Sequence, residues 1–129
     1  MKILSLSILL LFAFVALPAQ GKKEMHTMNG YLIDKMCGSG MAKKAPDKAM
    51  ASAAKHTRSC AMEEGCAESG YGLMMGGKWT AFDEAGNKKA AEFLKKTKAK
   101  DHLFIAVAGT MDGETIKVSS IKAAKEKMN

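Results

Sequence analysis

The chain has no apolar run of the roughly 20 residues that a membrane-spanning helix needs. It also has no Cys-x-x-Cys pair and no repeat at a fixed period. Proline is scarce, with two residues, and aromatic side chains make up 6%. The first absence decides how the uncharged stretch 3–17 is read. A lone Lys2, that short apolar run and then Pro18-Ala19-Gln20-Gly21 form the pattern of a cleavable secretory signal. Residues 1–20 are expected to be removed, leaving a periplasmic or secreted protein with no transmembrane segment. No cysteine stands near the junction to take a lipid.

Other absences narrow the chemistry. No Ser/His/Asp arrangement has a hydrolase-like local setting, and no phosphate-cradling glycine loop opens a helix. Asp34, Glu63-Glu64 and Asp83-Glu84 fall in or beside expected turns, where solvated carboxylates are ordinary. Nothing around Cys60 resembles the sequences that surround the nucleophile of cysteine hydrolases. The expectation is a protein that is not an enzyme, with thiol redox chemistry the one activity left open. Acidic residues are the minority, 13 against 20 Lys+Arg, for a net charge of +7. The lysines are dispersed along the chain rather than gathered in one stripe, so no nucleic-acid partner is expected.

What is present fits one small domain, since about 110 residues remain after cleavage. The run 28–34 reads as a first strand entering the glycine-rich loop 35–40. Ala45-Pro46-Asp47 opens an alanine-rich helix expected over 47–60, with proline at its first turn and an early aspartate at its positive end. Two short apolar runs, 71–75 and 78–82, flank Gly76-Gly77 and predict a hairpin. Gly86-Asn87 is expected to close the second of these strands, with Asn87 capping a helix that aligns Ala90, Phe93 and Leu94 on one stripe. The stretch 102–111 is apolar on both faces and reads as a central strand. Asp112-Gly113 turns it into a last strand, 115–121, and residues 123–129 form a lysine-rich tail.

This order predicts a mainly β, α+β fold with two helices. It would be a five-stranded OB-like barrel over 28–122, carrying a helical insert, 38–70, after the first strand. A small α+β sandwich is the alternative architecture.

Three cysteines, Cys37, Cys60 and Cys66, hold the most information. An odd number in an exported chain leaves one thiol over for a metal, a partner or chemistry. On one helix, His56 and Cys60 would sit four apart on the same face. With Cys37 and Cys66 they make four N/S donors, the composition of a closed zinc site. Thiols with the thioethers of Met36, Met41 and Met62 nearby would instead suit copper(I), although most methionines read as core filling. The competing account is a disulfide, Cys60–Cys66 or Cys37–Cys60, plus one spare thiol. Such a disulfide-braced module would bind an unknown small ligand or protein. Its ligand would lie near Tyr31, Tyr71 and Trp79, aromatics that read more readily as core. His26 and His102 read as surface imidazoles.

The segments Gly30-Tyr31-Leu32-Ile33-Asp34-Lys35-Met36-Cys37, His56-Thr57-Arg58-Ser59-Cys60-Ala61, Cys66 and Ser69-Gly70-Tyr71-Gly72 carry a resemblance. They resemble a group of small exported bacterial OB-like proteins. In these, a strand ending in Asp-x-x-Cys is followed by a His-x-x-Cys or His-x-x-x-Cys segment and a further cysteine. The resemblance covers roughly residues 28–122 and implies a fold and a location rather than a reaction. It carries over to Cys37, His56, Cys60 and Cys66.

Overall fold

The computed structural model describes residues 23–127. The expected signal, 1–20, and the last two residues of the expected tail lie outside the described residues. In chain order the elements are β1 (His26–Asp34), α1 (Lys35–Lys44), a 3-10 turn (Pro46–Lys48), α2 (Ala49–Lys55), α3 (Arg58–Ala61) and α4 (Glu64–Ser69). They continue with β2 (Tyr71–Met75), β3 (Lys78–Phe82), α5 (Glu84–Lys96), β4 (Phe104–Asp112) and β5 (Thr115–Ala123).

The five strands form one closed sheet in the order β1-β2-β3-β5-β4. Every pairing is antiparallel except β3 with β5, a parallel seam of two register pairs, Ala81–Thr115 and Phe82–Ile116. Leu32, Leu73, Phe82, Ile105, Val107 and Ile116 fill the interior with Leu94 of α5. A second, smaller apolar cluster lies outside the ring, where Ala49 and Ala53 of α2 meet Tyr31, Ile33 and Met74.

The expected β2–β3 hairpin is present, and Gly76 and Gly77 both take positive φ, 54° and 81°. That is the backbone a two-residue primed turn requires. The β4 strand is flanked by β1 and β5, as every strand of a closed sheet is flanked on both sides, and only its Ile105, Val107 and Gly109 face is buried.

The mainly β, two-helix expectation is corrected. The described residues hold five α-helices, and helical residues are about as numerous as those in strands. The supposed glycine-rich loop after β1 is helix α1, because Asp34 caps it by accepting from the Cys37 N–H at 3.0 Å. Gly38 is needed there for close approach: a Cβ would lie 2.4 Å from the Trp79 ring. The alanine-rich helix ends at Lys55, because His56 turns to extended backbone and Thr57 caps a new helix through the Cys60 N–H.

The start of α5 also differs. Its cap is Asp83, not Asn87, and Gly86 lies inside the helix. Asp83 Oδ1 accepts from Gly86 N–H at 2.9 Å and from Val118 N–H of β5 at 3.2 Å. Asn87 instead accepts from the Tyr71 N–H at 2.8 Å and so holds the start of β2. The first rungs of β1 are His26 and Thr27, paired with Gly109 and Ala108 of β4.

Candidate functional site

Four helices lie between β1 and β2, and three of them each carry one cysteine: Cys37 on α1, Cys60 on α3 and Cys66 on α4. Short helices rarely stand alone in water, so each is fixed by polar ties. At the end of β1, Lys35 N–H donates to Gly70 O at 2.9 Å and Met36 N–H to Ser69 Oγ at 3.3 Å. These bonds join the start of α1 to the end of α4. Ser69 Oγ in turn donates to Cys66 O at 2.7 Å. On the other side, buried Tyr71 donates its hydroxyl to Ala61 O at 2.8 Å and props α3. Arg58 anchors the same helix through its N–H to Lys100 O at 2.7 Å and its guanidinium to Leu94 O.

The result is convergence. The sulfurs of Cys37, Cys60 and Cys66 lie within 4.8 Å of one another. A second group shares Cys37: its sulfur, a ring nitrogen of His56 and a carboxylate oxygen of Asp34 lie within the same 4.8 Å. Cys37 is thus the hinge between a sulfur triad and a His/Asp pair. The expected i, i+4 pairing of His56 with Cys60 does not occur, since the two stand on either side of a helix break. It is the fold, not helical periodicity, that brings His56 to Cys37, while Cys60 and Cys66 stand with Cys37 in the other group.

Asp34 is the residue the sequence reading passed over as a solvated turn carboxylate. It is fully buried at the end of β1. The usable signal was the Asp-x-x-Cys spacing itself, in which an N-cap carboxylate meets the third amide of its helix. His56 is also buried, and its Nε2 lies 3.2 Å from Asp34 Oδ1. The approach is close but misaligned. Asp34 Oδ1 and both His56 ring nitrogens have no hydrogen-bond partner among the described residues. Buried polar atoms left in this state are costly, and these belong to the group that holds the Cys37 sulfur.

The electrostatics agree. Burial, followed by the charges of Asp34, Cys60 and Cys66, pushes the Cys37 thiol up to about 12. Burial and the same carboxylate raise Cys66. For Asp34 burial is the largest influence and raises it. The His56 imidazole and the Cys37 N–H outweigh burial together and hold the carboxyl below its ordinary 3.8. Several neighbouring groups become negative on losing a proton, and little local positive charge favours that state. A cation placed among them would reverse the balance and favour thiolates.

The other sequence candidates lie elsewhere. His26 and His102 are exposed and belong to neither group. Met36 and Met62 are exposed and Met41 packs in the outer apolar cluster, so the donor set is thiols, imidazole and carboxylate. Tyr31 and Tyr71 are buried, and Trp79 donates its ring N–H to Ile33 O at 3.1 Å. The two tyrosines are core residues, and Trp79 is half-buried beside Lys35 and Lys78. Compared with family models, with curated proteins and with solved structures, the chain matches none of them.

Proposed function

We propose that this is an exported, OB-like protein, not an enzyme, that binds a thiophilic transition metal ion through Cys37, Cys60, Cys66 and His56. The OB-like reading is supported by the strand order β1-β2-β3-β5-β4 and by α5 between β3 and β4. Export is supported by the signal pattern of residues 1–20. Among the described residues no helix is long and apolar enough to cross a membrane.

One observation carries the metal reading: three sulfurs within 4.8 Å of one another, with Cys37 also beside a buried imidazole whose nitrogens lack partners. A tetrahedral ion with metal–sulfur bonds near 2.3 Å holds its sulfurs ~3.8 Å apart. Small movements of the short helices α3 and α4 would close that gap. Asp34 Oδ1, 3.2 Å from His56 Nε2, would supply the carboxylate partner that orients a ligating imidazole once the two align. Thiolates plus imidazole favour zinc, whereas three thiolates alone would satisfy copper(I).

The test uses the reduced full chain, titrated separately with zinc and copper(I) against chromophoric competitors. Cys60→Ser is expected to weaken either metal by about tenfold or more, the scale of losing a site residue. His56→Ala should weaken zinc by a similar factor and leave copper(I) nearly unchanged if copper uses the sulfurs alone. Full zinc affinity in both variants would end this assignment.

A further inference from the structure

Cys37 and Cys60 are half-buried, whereas Cys66 is buried. The backbone around Cys60 is open, since Thr57, Ser59, Met62 and Glu63 are all exposed. Both helices that carry Cys60 and Cys66 are short, four and six residues, and are tied by a few polar bonds rather than by broad apolar faces. Sulfurs 4.8 Å apart or less need only modest displacement to bond. A small disulfide in solution meets Cys60 or Cys37 first, and Cys66 is shielded.

We propose that Cys37 and Cys60 form a reversible dithiol–disulfide couple whose reaction partner is a low-molecular-weight disulfide. Its closure withdraws two ligands from the metal site, a consequence that rests on the metal-binding reading above. In the first step the Cys60 thiolate attacks one sulfur of the reagent. The reagent's S–S bond breaks, one thiolate leaves and takes up a proton, and a mixed disulfide remains on Cys60. In the second step Cys37 Sγ loses its proton as it attacks Cys60 Sγ, the mixed disulfide breaks, and the second reagent thiolate leaves and takes up a proton. The two protein sulfurs are oxidised by two electrons, and the reagent is reduced to two thiols. Cys66 keeps its thiol. The thiol left over is not the Cys37 sulfur that stands with His56 and Asp34, and one thiol is a much poorer soft-metal site than three.

The experiment equilibrates the reduced, metal-free full chain with glutathione and its disulfide at a series of ratios, then traps free thiols by alkylation. Peptide mapping should give one Cys37–Cys60 bond and a mass loss of about two units, both reversed by excess thiol. Cys66→Ser should form the same bond over the same ratios. Zinc competition on the oxidised chain should show affinity at least about a hundredfold below that of the reduced chain. Preloaded zinc should slow oxidation severalfold. The couple is overturned if all three thiols stay alkylatable at every ratio, or if the bond maps to another pair or to a second molecule. The metal consequence is overturned if oxidised and reduced chains bind zinc equally. A reduced chain that binds neither zinc nor copper(I) but forms the Cys37–Cys60 bond sinks the metal reading and upholds the couple.

Discussion

At Asp34 one carboxylate does two jobs, capping α1 with Oδ2 and facing His56 with Oδ1. Asparagine is nearly as good an N-cap, so Asp34→Asn keeps the cap and removes the charge. It should lower zinc affinity by about ten- to a hundredfold through loss of the imidazole's partner, measured by competition titration. Asp34→Ala should in addition lose about 1 kcal/mol of stability from the missing cap, read from urea midpoints. The acid limb separates the two roles. The folded carboxyl is held below its ordinary 3.8, so its contribution to stability is complete above that pH and fades as pH falls through the depressed value. The metal-free wild type should therefore lose stability between pH 4 and the acid end more steeply than Asp34→Asn, with urea midpoints as the measure. The sequence displayed the Asp34-to-Cys37 spacing openly. Burial of the carboxylate could not be read there, because it depends on four helices folding over the strand end.

Helix α1 carries Cys37, and its docking depends on Gly38. A Cβ there would meet Trp79 at 2.4 and 2.7 Å and Ile33 at 2.9 Å. The same indole passes over Gly72 of β2, where a Cβ would lie 2.5 Å from the ring. Trp79 is thus held between two glycines, one on the helix and one on the sheet. Gly38→Ala should destabilise by about 1–3 kcal/mol, the usual cost of overpacking. Because it pushes Cys37 away from the other sulfurs, it should also weaken zinc binding, checked in the same titration. The elements differed in how legible they were. The β2–β3 hairpin announced itself through Gly76-Gly77, and β4 through its two apolar faces. The 47–60 helix did not, because alanine-rich composition favours helix throughout and gives no sign that His56 turns out of it. The four donors were recognisable as residue types at suggestive spacings. Their arrangement in two groups that share Cys37 was set by tertiary bonds such as Tyr71 to Ala61 and Arg58 to Lys100, which no local pattern encodes.

For the molecule as a whole, ligand and proton binding are linked. With Cys37 pushed up to about 12 and Cys66 also raised, both thiols are protonated in the metal-free state at neutral pH. Metal binding must displace those protons. Zinc titration in weak buffer should release at least about two protons per ion, and apparent affinity should climb about tenfold per pH unit for each proton released. Removing the metal with a chelator should lower the unfolding temperature of the whole domain, since a ligand at a thousand times its Kd adds about 4 kcal/mol. Elsewhere in the molecule, the ring of strands closes at its weakest place, the two-rung parallel seam between β3 and β5. There a single oxygen, Asp83 Oδ1, receives one amide from the first turn of α5 and another from β5. That shared atom makes the start of a helix and the locking of a circle into one event. In a chain with Asp83→Ala, deuterium should enter at Gly86 and Val118 in step, both faster than in the parent, like a clasp whose two halves come undone together.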